Sequence, residues 1–188
     1  MTTRIATRAT LAAIAGFALL ALSACSSAGS GSDISPAPES SASSSTAAAE
    51  PIGDCTGVAV IVDAGNLESA DDPSTTACID ADAPIAASEA LKQADVATVG
   101  TDEYADQVVC RVNGVPAEDE AITAPDGTDY FEKCASMPAA FAYWSLWVKP
   151  ADGEWAYAQE GLGTLQLAPG DSVELLFTLN DEPAAPAA

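Results

Sequence analysis

The apolar positions of this chain change pattern twice, and each pattern predicts a different kind of segment. Residues 11 to 22 form an apolar run of Leu, Ala, Ile and Phe behind Arg4 and Arg8, with no acidic residue before Cys25. A run of that length is too short to cross a bilayer as a helix, which takes about 20 apolar residues, and it fits the apolar region of an export signal over residues 1–24. From Ser26 to Ala49 the pattern vanishes. Ser, Ala, Gly and Pro dominate, Asp33 and Glu39 stand alone, and Ile34 is the only large aliphatic residue. Such a segment cannot bury enough to offset its chain entropy, so residues 25–52 are expected to be a disordered linker.

Strand-like patterning begins near Gly53 and lasts to Asn180. Gly57 to Asp63 is β-branched and apolar, the signature of a buried strand, and Thr75 to Asp80 predicts a shorter one. Pro84 to Asp95 predicts the helix, because Ala86, Ala87, Ala90, Leu91 and Ala94 recur at spacings of three and four behind a first-turn proline. Val96 to Gly100 is extended, Gln107 to Val112 a strand, and Asn113-Gly114 a turn. Pro116 to Lys133 reads as a long acidic loop. Phe141 to Lys149 alternates as a strand and turns at Pro150 to Gly153, and Glu154 to Gln159 returns beside it. A short strand over Thr164 to Leu167, a turn at Pro169-Gly170-Asp171 and an apolar strand over Val173 to Leu179 follow. The expectation is an α+β fold, a small mostly antiparallel sheet with one helix, in a single domain over residues 53–180. Residues 181–188, with Pro183 and Pro186 among alanines, predict a frayed tail.

Alternation along the last hairpin sorts its rings. Ala142, Trp144, Leu146 and Val148 share one uniformly apolar face. Phe141, Tyr143, Ser145, Trp147 and Lys149 share the other, whose mixed composition predicts a half-exposed surface. Trp155 and Tyr157 share a face of the returning strand. These rings could simply fill the core of a small sheet. Rings on both faces of one hairpin cannot all enter a single core, however, and an exposed aromatic strip suits a planar ligand, a sugar or a protein partner.

Charge removes whole classes of function. Without residues 1–24 only Lys92, Arg111, Lys133 and Lys149 remain against 28 acidic residues, a formal charge of 4 − 28 = −24. Such a surface repels phosphates and anionic headgroups, which argues against nucleic-acid binding. The sequence contains no histidine, so the commonest general base and metal ligand is missing. No enzyme or metal centre is expected. Asp126, Asp129 and Glu132 around Gly127 could hold Ca²⁺, but their spacing departs from an EF-hand loop.

Five cysteines less Cys25 leave Cys55, Cys78, Cys110 and Cys134, an even set in an exported domain. Three connectivities are possible and sequence does not choose among them. Cys55–Cys78 with Cys110–Cys134 is favoured because both pairs are local, and each bridge would add about 3 kcal/mol.

Two resemblances complete the reading. Leu22-Ser23-Ala24-Cys25 resembles the lipobox of bacterial lipoproteins, which implies cleavage before Cys25, diacylglycerol on its sulfur, and anchoring to the extracellular face of the cell membrane. Two or three acyl chains anchor stably where one is marginal. The linker would span about 25–30 Å.

Farther along come Cys110-Arg111-Val112-Asn113-Gly114-Val115-Pro116, then Tyr143-Trp144-Ser145-Leu146-Trp147. Gly153-Glu154-Trp155-Ala156-Tyr157 and Pro169-Gly170-Asp171-Ser172-Val173-Glu174 follow in order. This series resembles the C-terminal β-domain family of transcobalamin and intrinsic factor. The resemblance implies a small, mostly antiparallel α+β domain, fits a Cys110–Cys134 pair, and makes cobalamin or a related corrinoid the candidate ligand. In the animal proteins the domain closes over cobalamin beside a helical domain, which this chain does not display. The residues expected to meet the ligand are Tyr143, Trp147, Trp155 and Tyr157 by stacking and Asn113 and Ser145 by hydrogen bonding, with a membrane transporter as recipient. The other reading is a monomeric surface module that binds a protein or glycan and no corrinoid.

Overall fold

The computed structural model describes residues 55–187. The export signal, Cys25 and the linker lie outside the described residues. Twelve elements follow in chain order: β1 (Val58–Asp63), β2 (Thr75–Ile79), β3 (Ile85–Ala86), α1 (Ala87–Gln93), β4 (Thr98–Thr101), β5 (Ala105–Val112), β6 (Ile122–Thr123), β7 (Asp129–Tyr130), β8 (Ala142–Lys149), β9 (Ala156–Tyr157), β10 (Gln166–Leu167) and β11 (Ser172–Leu179). The fold is mostly β with one short helix.

Five strands form the main sheet in the order β2-β1-β11-β8-β9. All its pairings are antiparallel except that of β1 with β11. A parallel pair needs a long crossover, and here everything from β2 to β10 intervenes. The central strand β11 is buried from Val173 to Thr178 without a break, as a strand covered on both faces must be.

Alternation builds the main core on one face of this sheet. Val58, Val60, Val62, Val173, Leu175, Phe177, Ala142 and Trp144 point to it. Ala87, Ala90 and Leu91 of α1 meet them, with Val109, Val112, Ile122, Leu162 and Leu167. Each fully buried Val, Leu or Phe contributes about 1.5–3 kcal/mol. Trp144 lies edge-on to Phe177, centroids 5.2 Å apart, and its indole N–H donates to the Val115 carbonyl at 3.0 Å.

The expected helix is shorter than its apolar periodicity. It spans Ala87–Gln93, because Ile85 and Ala86 pair with Leu167 and Gln166 as β3. Ala86 at its N-cap makes no side-chain cap, and Asp95 just beyond it takes a left-handed φ of 58°. A sheet-like pairing thus replaces the first helical turn.

The stretch from Pro116 to Lys133, expected to be loop throughout, holds the small hairpin β6–β7 around the Ala124–Thr128 turn. The return strand predicted over Glu154 to Gln159 forms only at Ala156–Tyr157. That predicted over Thr164 to Leu167 forms only at Gln166–Leu167.

Both local disulfides are formed. Cys55–Cys78 ties the chain before β1 to β2, and Cys110–Cys134 ties β5 to the end of the acidic stretch. Arg111 reinforces the second. Its Nε donates to the Pro116 carbonyl at 2.7 Å and its Nη2 to the Glu132 carbonyl at 2.6 Å, while Nη1 lies against Cys134 Sγ. The Glu132 carboxylate is buried beneath, accepting the Cys134 N–H at 2.6 Å and the Tyr130 hydroxyl. Burial, then this carboxylate, pushes the Tyr130 hydroxyl up to about 12.

Candidate functional site

The second face of the main sheet is set by the register. Glu174 of β11 stands between Ile61 of β1 and Trp147 of β8, Leu176 between Asp63 and Ser145, and Thr178 beside Tyr143. Tyr157 of β9 lies opposite Trp147. Four of the six predicted contact residues are therefore on or beside this face: Tyr143, Ser145, Trp147 and Tyr157, with Trp155 next in line.

Their environments differ sharply from a half-exposed strip. Trp147 and Ser145 are buried. The Trp147 ring stacks on Tyr157 with centroids 3.9 Å apart and 28° between planes. Its indole N–H donates to Ser145 Oγ at 2.9 Å, and the Ser145 hydroxyl donates in turn to the Leu176 carbonyl at 2.9 Å. Ser145 is thus committed inside the sheet, serving the Trp147 indole. Phe141, grouped with these rings by alternation, turns to the main core and meets Tyr130 edge-on at 5.4 Å.

The accessible rings are at the sheet edge. Tyr157 is 47 % exposed, while Tyr143 and Trp155 are half-buried. Burial, then a hydrogen bond with Tyr143, holds the Tyr157 hydroxyl above its ordinary value. The Lys149 ammonium lies 5.9 Å from the Trp155 ring centre, within cation–π range.

Asn113 belongs elsewhere. Its Oδ1 accepts the Ala97 N–H at 2.8 Å and its own N–H donates to the Ala97 carbonyl at 2.7 Å. It sits in the loop that Trp144 reaches through Val115, on the main-core side of the sheet. Its left-handed φ of 49° is the turn role its Asn-Gly pair predicted.

Two features of this face carried no signal in the hairpin motif. Glu174 is a buried acidic residue in the middle of the central strand. Burial, then the nearby Asp63 charge, raises it to about 7. An acidic residue inside the apolar run Val173 to Leu179 was the sequence clue. The other feature is the segment after β11. Leu179 and Glu182 exchange backbone hydrogen bonds across a tight turn. The Pro183 ring packs on Gly65, where a Cβ would stand 2.7 Å from Pro183 Cδ. The Pro183 carbonyl accepts the Thr178 hydroxyl at 3.2 Å, and the Ala187 carbonyl accepts the Trp155 indole N–H at 3.2 Å.

Elsewhere, an open cavity of about 530 Å³ is lined by Thr56, Gly57, Asp80, Ala81, Asp82 and Pro169. None of the predicted contact residues borders it. Cys110, Glu132 and Cys134 bring potential ligand atoms within 4.8 Å of one another, but the disulfide occupies both sulfurs. The three carboxylates weighed for Ca²⁺ are not arranged as a common site: Asp126 accepts the Thr128 N–H and hydroxyl, at 3.0 and 2.7 Å, while Glu132 is buried against Cys134.

No protein-family model matches this chain, and no curated protein or solved structure matches it either. No helix among the described residues is long and apolar enough to cross a membrane.

Proposed function

We propose that this protein is a non-enzymatic binding lipoprotein, held at the extracellular face of the membrane through acylated Cys25 and a flexible linker. Its ligand packs on the edge of the aromatic hairpin, and cobalamin or a related corrinoid is the first candidate, passed on to a membrane transporter. The observation that carries this reading is the cluster of accessible rings at one sheet edge, Tyr157 with Trp155 and Tyr143, backed by the stacked and buried Trp147. A large apolar face against rigid rings is what a planar macrocycle needs. In this reading Trp147 and Ser145 set the position of Tyr157, and Asn113 shapes a turn outside the contact surface.

A second reading, a surface module for protein or glycan partners, draws support from the contact of a polypeptide carbonyl with Trp155.

The test is tryptophan fluorescence of the non-lipidated chain (residues 26–188) titrated with cobalamin and corrected for inner-filter absorption. Saturable quenching at micromolar or tighter affinity, lost in Trp155→Ala and Tyr157→Ala, is expected. A flat titration would retire the corrinoid and leave the second reading.

A further inference from the structure

We propose that Glu174 is a proton-operated latch for the aromatic edge: protonated, it lets Trp147 seat and hold Tyr157 in place; ionised, it draws water beneath Trp147 and frees that edge. The latch rests on the reading of this edge as the ligand surface and adds its regulation. Ligand is held at mildly acidic pH and released as pH rises.

The geometry sets an ionisable group beside a ring near the sheet edge. Glu174 lies in the middle of the central strand and is 4 % exposed. Ile61 of β1 stands opposite it on one side and Trp147 of β8 on the other. Directly opposed residues of antiparallel strands have Cβ atoms about 4.5–5.5 Å apart, so Trp147 is an immediate neighbour. Trp147 in turn stacks on Tyr157, centroids 3.9 Å apart. One row of side chains across the sheet thus connects the carboxyl to the accessible ring.

The groups around Glu174 favour its neutral form. On β1, Asp63 is a second carboxylate, which accepts the Gly65 N–H at 2.7 Å. On β8, Lys149 lies at the level of Ser172 with its ammonium 5.9 Å from the Trp155 ring centre, and Tyr143 lies at the level of Thr178. On β9, the Tyr157 hydroxyl is bonded to Tyr143. β2 brings Thr76 and the disulfide-bonded Cys78 to this face, and neither titrates. After β11, Asp181 and Glu182 are exposed. A carboxyl so placed must keep its proton or gain water. Burial and the Asp63 charge accordingly raise Glu174 to about 7.

Ionisation opens the side that yields first. Ile61 belongs to β1, which is paired along its length with both β11 and β2, and the Cys55–Cys78 disulfide ties β2 down. Trp147 faces an edge strand of two residues, Ala156–Tyr157, both exposed. Its indole N–H makes one hydrogen bond, to Ser145. Water reaching the carboxylate therefore displaces Trp147, and Tyr157 loses the ring on which it stacks. Trp144, enclosed on the other face, takes no part.

The experiment measures hydrogen exchange of the three indole N–H groups in the ¹⁵N-labelled, non-lipidated chain, assigned by Trp→Phe variants. Rates are expressed relative to a free tryptophan amide at the same pH, which removes base catalysis. At about pH 8 the Trp147 indole of the parent should exchange about tenfold faster than that of Glu174→Gln, and at about pH 5 the two should agree. Trp144 should exchange alike in both proteins. Asp63→Asn, which leaves Glu174 in place, should lower the pH at which Trp147 loosens, and it supplies the readout if Glu174→Gln does not fold. A Trp147 rate that is independent of pH, or unchanged by these variants, overturns the latch. So does a Trp144 rate that rises as much, because the whole domain would then be opening. Cobalamin should bind the parent more weakly at the higher pH and Glu174→Gln equally at both. Equal binding to the parent at both pH values overturns the regulation. No binding at either retires the corrinoid reading alone, and the exchange rates still decide the latch.

Discussion

The two faces of the main sheet are made from the same strands by the same alternation, yet they are closed in different ways. One face carries Val, Leu, Phe, Ala and Trp144, and it is covered by α1, β5 and the loops that follow them. The other interleaves Glu174, Thr178, Ser145 and Asp63 with Trp147, Tyr157 and Leu176. Its side chains bond within the sheet, and the segment after β11 accepts hydrogen bonds from Thr178 and Trp155. An apolar face gains from any cover that excludes water. A mixed face must satisfy its polar groups as well, and the Trp147–Ser145–Leu176 chain of hydrogen bonds does that locally. The first arrangement makes stability, and the second leaves rings at an edge where a partner can reach them.

Matched truncations test this difference most severely. Trp144→Ala removes a ring enclosed on the core face, with its contacts to Phe177 and Val115, and is expected to cost about 3–5 kcal/mol. Trp147→Ala should cost less, about 2–3 kcal/mol, because Tyr157 can settle into the space it leaves. Urea unfolding of both variants checks the pair. Equal costs would mean that both faces are closed cores.

The next effect concerns pH. Glu174 is raised from 4.5 to about 7 in the folded protein, so the folded state holds a proton that the unfolded chain releases. The contribution from this group is fully present below about 4.5 and is lost as pH rises through about 7. Glu174→Gln should therefore gain about 3 kcal/mol over the parent at pH 8 and little at pH 4, because each pKa unit is worth about 1.4 kcal/mol. Thermal melts at the two pH values measure it. A gain that did not depend on pH would remove the titration from the account.

Ser145→Ala is the smaller probe of the polar face. It breaks both links of the chain to Trp147 and Leu176 and should cost about 1 kcal/mol. It should also raise acrylamide quenching of tryptophan fluorescence, because Trp147 loses its partner. Asn113→Ala should cost a similar or smaller amount by uncapping the Ala97 N–H, and cobalamin titration should be unchanged, since Asn113 is on the core side.

Much of this was legible along the chain. The apolar runs marked β1, β8 and β11 nearly to the residue, and the cysteine spacing favoured the two disulfides that form. The failures were of specific kinds. Helical periodicity from Pro84 to Asp95 overran because Ile85 and Ala86 found strand partners in residues far along the chain. The β6–β7 hairpin was hidden in an acidic stretch whose only strong signal was its turn. Ser145 and Asn113 were grouped with the rings as hydrogen-bonding residues, but both side chains are used within the fold.

Sequence alone determined which residues alternate, which cysteines are near one another, and that the surface is strongly acidic, because these are properties of neighbours and of composition. Tertiary structure decided that β1 would lie parallel to β11, that Glu174 would be buried beside Trp147, and that residues 182–187 would meet Trp155. Those outcomes depend on which distant segments share a face. That choice follows from the sum of burial and hydrogen bonding over the whole domain, and no local pattern contains the sum.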